Sequence, residues 1–202
     1  MAPIRSILLD ADGVVQVPSP TWRMRLESLA GDRRQDFLAE VFAAERPCVT
    51  GGEDFAVALA RVLERWQCDA NVEDVLDLWT LIEPDAGILS LVADLRDRGC
   101  QVCLATNQQR HRARYMADVL GYDRLFDQSF YSCEVGLAKP ERGYFIEVVE
   151  RLGLKSYEIL FVDDNDFNVA AARQIGLNAE QFHLMEGVDV LRERMRLYDI
   201  EV

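Results

Sequence analysis

Four short polar clusters stand out in this sequence of 202 residues. They are Asp10-Ala11-Asp12-Gly13, Thr106-Asn107, Lys139-Pro140 and Asp163-Asp164-Asn165-Asp166, with Asn168 just beyond the last. Brought together, their acids would repel one another unless a cation lay between them. An oxygen donor set suits Mg²⁺, which also keeps waters and takes phosphate oxygens as ligands. A carboxylate can attack phosphorus, giving an acyl phosphate and splitting one hard step into two easier ones. Metal and lysine would then offset the charge on the transferring group. A hydroxyl such as that of Thr106, with a nearby backbone N–H, would hold phosphoryl oxygens. Taken singly, each cluster also reads as a helix cap, a turn or a solvated loop, with Pro140 suited to a first helical turn.

The elements that must position these clusters can be read from the apolar pattern. Asp10 ends a short strand, Ile4 to Asp10, whose apolar part is Ile7-Leu8-Leu9. Thr106 follows the apolar run Val102 to Ala105, and Asp163 follows Ile159-Leu160-Phe161-Val162. Helical spacing is expected over Gly87–Arg98, Arg110–Leu120, Glu141–Leu152 and Asp166–Ile175, each stopped by a following glycine. Ser129 to Tyr131, and a weak segment near Phe182, complete the expected strands, before a final helix from about Val188 to Leu197. Strand–helix alternation predicts an α/β fold, a Rossmann-like parallel sheet with helices on both faces. Ligands of such sheets bind beyond the carboxyl ends of the strands, which is where all four clusters fall.

Residues 16–84 read differently. Trp22 to Ala30 is a first helix; Phe37, Leu38, Val41 and Phe42 mark a second. Thr50-Gly51-Gly52 is a break. Phe55, Leu59, Val62, Leu63 and Trp66 mark a third helix, and Val72 to Trp79 a fourth. No strand-like alternation is expected before Pro84. The predicted division is a core of residues 1–15 and 85–202 with an inserted all-helical cap of residues 16–84.

The formal net charge of −13 speaks against nucleic acid and membrane as partners. It also requires local positive charge wherever a phosphate binds. No apolar run approaches the roughly 18 residues that span a bilayer, and the opening residues do not read as a signal peptide, so a cytoplasmic location is expected. The five cysteines are odd in number and scattered, which is no disulfide framework. Cys100 and Cys103 stand three apart at the start of a strand, hence on opposite faces, and read as packing residues. The expected roles of His111 and His183 lie at the surface or behind the site. Trp22, Trp66 and Trp79 are expected in the core of the cap.

The four clusters, in this order, resemble the four motifs of the haloacid dehalogenase-like (HAD) hydrolase superfamily. They are carried by ILLDADGVV, VCLATN, GLAKPERGYF and ILFVDDNDFNVAAARQIG. The resemblance implies Asp10 as nucleophile and metal ligand. Asp12 would protonate the leaving oxygen and later activate water, its backbone carbonyl also binding the metal. It implies Lys139 beside Asp10 and the phosphate, Thr106 on the phosphoryl group with Asn107 as a further substrate-binding residue, and Asp164 as a further ligand to Mg²⁺. Asp163 stands where many members have Gly, and Asn168 where many have Asp; both would support the ligands from behind. Val14 replaces a common Thr. The D-D-x-x-x-N form and TNQQRHRARYM resemble the branch of sugar-phosphate phosphatases and the phosphatase domain of epoxide hydrolases. Family members that cleave carbon–halogen bonds lack the second motif-one Asp, so Asp12 favours phosphate-ester cleavage. The implied substrate is a small phosphorylated metabolite, a sugar phosphate first; Arg46 of the cap either meets its hydroxyl or phosphate or is a surface residue. The alternatives are phosphomutase chemistry and a non-catalytic phosphoacceptor or scaffold.

Overall fold

The computed structural model describes residues 3–202; residues 1 and 2, the start of the expected core segment, lie outside it. Its strands are β1 (Ser6–Leu9), β2 (Gln16–Pro18), β3 (Ile82–Pro84), β4 (Gln101–Thr106), β5 (Gln128–Tyr131), β6 (Ile159–Asp163) and β7 (Asn178–Gln181). The helices of the first part are α1 (Pro20–Glu27), α2 (Arg34–Glu45), α3 (Phe55–Arg65) and α4 (Val72–Leu76). Those of the second are α5 (Ala86–Asp97), α6 (Arg110–Arg114), α7 (Tyr122–Leu125), α8 (Ser132–Val135), α9 (Arg142–Leu152), α10 (Asp166–Gln174) and α11 (Val188–Arg196).

The main sheet runs β5-β4-β1-β6-β7, and every adjacent pair is parallel. The apolar runs make it so: a strand buried on both faces needs apolar residues at consecutive positions. Ile7 and Leu9 point to one face, with Leu91 and Leu95 of α5 and Leu191 of α11. Leu8 points to the other, with Phe145 and Val148 of α9 and Ala172 of α10. Each fully buried side chain of this kind contributes roughly 2 kcal/mol of transfer free energy. Cys103 packs on the second face and Cys100 against the first, as strand alternation requires. The chain leaves β1 toward β4 on one side and returns to β6 on the other. Strand order therefore reverses at the carboxyl end of β1, which opens a crevice there.

Residues 20–80 hold a third apolar cluster of their own, built on Leu26, Phe37, Val41, Leu59 and Val62. One element there departs from expectation. Gln16–Pro18 and Ile82–Pro84 pair as an antiparallel ribbon where the helical segment leaves and rejoins the sheet. Three residues are too few to show a period of two, so the ribbon left no pattern. The helix after β4 departs too: α6 is followed at once by a π-turn, Tyr115–Val119. The last strand, β7, ends one residue before Phe182.

Candidate active site

Asp10 follows β1 directly, its backbone N–H donating to Val162 O at 2.9 Å as if the strand continued. The chain then turns through Gly13, whose φ is +83°. A Cβ at Gly13 would lie 2.5 Å from Asp164 Oδ2, so glycine is needed there both for backbone conformation and for room. Asp163 ends β6 and is wholly buried, and Asp164 follows it half-buried. Asn165 caps α10 by accepting from Phe167 N–H at 2.9 Å, which fixes the turn that carries both acids.

Asp10, Asp163 and Asp164 each offer a carboxylate oxygen within 4.8 Å of the other two. Among the described residues no other group of His, Cys, Asp or Glu is placed to hold a metal. Lys139, buried, reaches Asp10 Oδ1 at 2.8 Å and Asp163 Oδ2 at 2.6 Å. Asp163 also accepts from Asn168 Nδ2 at 3.0 and 3.1 Å and from Asn165 N–H at 2.9 Å. The lysine charge is thus shared between two carboxylates. Burial accordingly pushes Asp10 up from an ordinary 3.8 to about 7; Lys139 opposes this and Asp163 adds to it. Asp164 is raised as well, by burial and then by Asp163. Burial alone would lower Lys139, but its two carboxylates outweigh it and the net shift is upward. Carboxylates raised by burial, and further by one another, are what a hard divalent cation would relieve, and every donor here is an oxygen suited to Mg²⁺.

The sequence brings Thr106 and Asn107 to this place, Asn107 with another task than expected. Thr106 is buried and its hydroxyl accepts from Gln108 Nε2 at 3.1 Å. Asn107 spends both ends of its amide on the Lys139 peptide, Nδ2 donating to Lys139 O at 2.7 Å and Oδ1 accepting from Lys139 N–H at 2.9 Å. It braces the lysine rather than presenting a free amide. Arg46 is exposed and makes no ion pair with the site. The 3₁₀ turn Arg46–Thr50 that it opens, with Pro47 next, carries it outward, while Glu45 before it lines the site's cavity. The adjoining turn docks instead through backbone: Val49 O accepts from Ser132 Oγ at 2.6 Å.

Asp12 has no place among the metal-holding carboxylates. Its side chain turns toward α6, where Arg112 grips it with both arms, Nη1–Oδ2 2.6 Å and Nη2–Oδ1 2.8 Å. Gln108 Nε2 donates to Oδ2 at 2.9 Å and Gln16 Nε2 to Oδ1 at 3.1 Å. Burial would raise the carboxyl, but Arg112 and the two amides overcome it and hold it below its ordinary value. Gln109 sets up this clamp by capping α6, its Oε1 accepting from His111 N–H at 2.6 Å and Arg112 N–H at 3.2 Å. Arg112, Gln108 and Gln16 were not picked out by sequence reasoning. The spacing of Gln108 and Arg112, four apart at a helix start and on one face, was the available signal.

Beside Arg112 lies a cavity of about 240 Å³ lined by Trp22, Phe42, Glu45, Trp79, Gln108 and Arg112, among others. Trp79 is buried in the apolar cluster of residues 20–80 and Trp22 packs against it, as expected of core residues, and both also border this cavity, with ring centroids 5.8 Å apart. Trp66 packs inward on Phe37, as expected of a core residue. Burial raises Glu45 from 4.5 to about 7. Two larger open clefts, of about 750 and 730 Å³, lie along the outer side of α6 and at the opposite end of the sheet, away from the carboxylates. His111 borders the first of them; His183 is exposed and caps a 3₁₀ turn. No helix among the described residues is long and apolar enough to cross a membrane.

A family profile described as haloacid dehalogenase-like hydrolase matches residues 4–176. A sesquiterpene phosphatase of Aspergillus oryzae is 28% identical over 116 residues, covering 57% of this chain and 58% of that relative. This chain thus spans little more than half the length of that protein. A HAD-like hydrolase structure from Porphyromonas gingivalis superposes with a TM-score of 0.82 at 21% identity, covering 96% of this chain and 98% of its own. A HAD-family enzyme of Bacteroides thetaiotaomicron, solved with magnesium and inorganic phosphate, gives a TM-score of 0.75 at 20% identity, with 88% and 93% covered.

Proposed function

Since this chain belongs to the haloacid dehalogenase-like hydrolases, we propose that it is a magnesium-dependent phosphatase that cleaves a small phosphate monoester through an aspartyl-phosphate on Asp10. One observation carries the reading: Asp10, Asp163 and Asp164 share a space of 4.8 Å while Lys139 touches Asp10 at 2.8 Å. A nucleophilic carboxylate, a cation beside it and room for a divalent ion thus stand at one sheet edge.

In this reading Asp10, Asp164 and the Asp12 backbone carbonyl hold Mg²⁺, with Asp163 and Asn168 behind them. The ion supplies charge neutralisation and alignment of the phosphoryl group. Asp10 attacks phosphorus, and the leaving oxygen takes a proton from Asp12, which must first part from Arg112 and take up that proton from solvent. Asp12 then removes a proton from the water that attacks the aspartyl-phosphate, and inorganic phosphate departs. Thr106 holds a phosphoryl oxygen, and Lys139 offsets charge on the transferring group.

Residues 16–84 act as the cap over a core of residues 1–15 and 85–202. The cavity at their junction receives the leaving alcohol. At about 240 Å³ it holds some eight water-sized groups at about 30 Å³ each. That matches one sugar ring better than a nucleoside. Aromatic walls with amides and a carboxylate suit a polyol, so a sugar phosphate is the first candidate. The likeness to a sesquiterpene phosphatase makes an apolar alcohol the second.

The test is hydrolysis of an aryl phosphate and of a panel of phosphorylated metabolites with Mg²⁺. The Asp10→Asn variant is expected to lose turnover while keeping its fold. Asp12→Ala should lose more on alkyl than on aryl leaving groups. Wild-type turnover by Asp10→Asn would refute the covalent route. Return of the phosphoryl group to sugar would indicate a mutase, and stable stoichiometric phosphorylation an acceptor protein.

A further inference from the structure

An ionised carboxylate has about four acceptor positions on its two oxygens. On Asp12 all four are taken. Oδ1 accepts from Arg112 Nη2 and Gln16 Nε2, and Oδ2 from Arg112 Nη1 and Gln108 Nε2. A side chain so engaged has no lone pair left for the proton of a water or for a bond to a leaving oxygen. Asp12 must shed a partner before it can do acid–base work.

The three partners differ in how easily they can leave. Gln16 is wholly buried, and its Oε1 is anchored by Tyr122 OH at 2.8 Å. Gln108 is buried and tied to Thr106 Oγ. Arg112 alone of the three combines charge with a long side chain that borders both Asp12 and the cavity. Its Nε is buried without a partner, and Glu45 lines the same cavity from the end of α2. A second carboxylate is thus available to the guanidinium, on the helical segment rather than on the sheet.

We propose that Arg112 is a positioning residue, a latch that holds Asp12 out of the reaction while the cavity is empty and releases it when a leaving group enters. The proposal rests on the phosphatase reading of the site. A leaving group that fills the space beside Trp22 and Trp79 displaces the guanidinium from at least one Asp12 oxygen toward Glu45. A small leaving group leaves the fork in place. Acid–base catalysis is thereby made conditional on the alcohol, and the enzyme discriminates in kcat as well as in KM.

The experiment compares two alkyl phosphates with primary alkoxide leaving groups, methyl phosphate and the best cavity-filling substrate of the panel. Wild type, Arg112→Lys and Arg112→Met are assayed with Mg²⁺, and a thermal melt checks the fold of each. Wild type is expected to favour the larger ester by at least about 100-fold in kcat/KM. Arg112→Met should shrink that preference at least about 10-fold. Arg112→Lys, a cation without the fork, should fall between. Equal losses on both esters would overturn the latch and leave Arg112 a structural residue. A wild type inert on every phosphate would instead overturn the phosphatase reading and the latch with it. A crystal structure of Asp10→Asn with the larger ester and Mg²⁺ gives a readout independent of turnover. At least one Arg112–Asp12 contact should open beyond 3.5 Å; both contacts kept at 2.6 and 2.8 Å would overturn the proposal.

Discussion

Removing magnesium should make the protein less stable as pH rises from 4 to 7, and Asp10 should account for the largest part. Its carboxyl moves from an ordinary 3.8 to about 7 in the fold, because burial and Asp163 outweigh the share of Lys139 it receives. The sign follows from proton binding. Between those two values the folded state holds a proton that the unfolded chain has released, so stability falls with rising pH and levels off above 7. About three pH units at 1.36 kcal/mol each give an upper limit of about 4 kcal/mol. For a chain of this size that is about 10 °C in melting temperature. Bound Mg²⁺ favours the ionised form and should remove the slope. Glu45, raised from 4.5 to about 7 by burial, adds a slope of the same sign that magnesium does not reach. The assay is therefore a set of thermal melts from pH 4 to 8, in chelator and in Mg²⁺, for wild type and Asp10→Asn. In chelator Asp10→Asn should be the more stable protein at pH 7.5, and the less pH-dependent. The reasoning is refuted if Asp10→Asn keeps the wild-type slope in chelator, or if magnesium shifts all melts equally.

Two further outcomes follow from the geometry. Lys139→Met leaves Asp10 and Asp163 buried without their cation, and breaking such a group costs about 3–5 kcal/mol. Urea unfolding at neutral pH in chelator should show that loss, with partial recovery in Mg²⁺; a loss under about 1 kcal/mol would mean the charges are compensated elsewhere. Gly13→Ala places a methyl 2.5 Å from Asp164 Oδ2 at a φ of +83°. The left-handed backbone alone costs about 1–2 kcal/mol, and the displaced carboxylate should weaken Mg²⁺ binding about tenfold by calorimetry. Unchanged magnesium affinity would show that Asp164 has room to move.

Much of the site was legible because it sits on elements with strong local signals. Four consecutive apolar residues before Asp163 mark a strand buried on both faces, and the acid after them must then stand at its carboxyl end. The same holds for Asp10 after Ile7-Leu8-Leu9. The ribbon of β2 and β3 was not legible, since three residues are too short for a period. Arg46, at a break between helices, read either as a substrate contact or as a surface residue, and it lies exposed. A break shows where the chain turns, but the turn's own geometry decides whether residue 45 or 46 faces the crevice. Trp22, Trp66 and Trp79 all join the apolar cluster of residues 20–80, as their helical spacing led one to expect, yet Trp22 and Trp79 also border the cavity. Spacing names a face of a helix and not what that face meets.

The order and chemical type of the groups were therefore written in the chain itself. A parallel sheet flanked by helices, with carboxylates, a hydroxyl and a lysine at its strand ends, follows from local periodicity, because backbone hydrogen bonding and apolar burial act over a few residues at a time. Tertiary structure alone decided the partners. Lys139 is divided between Asp10 and Asp163, and Asp12 is gripped by Arg112 one hundred residues away. Those pairings depend on angles and distances of a few tenths of an ångström between elements remote in sequence, and only packing sets them.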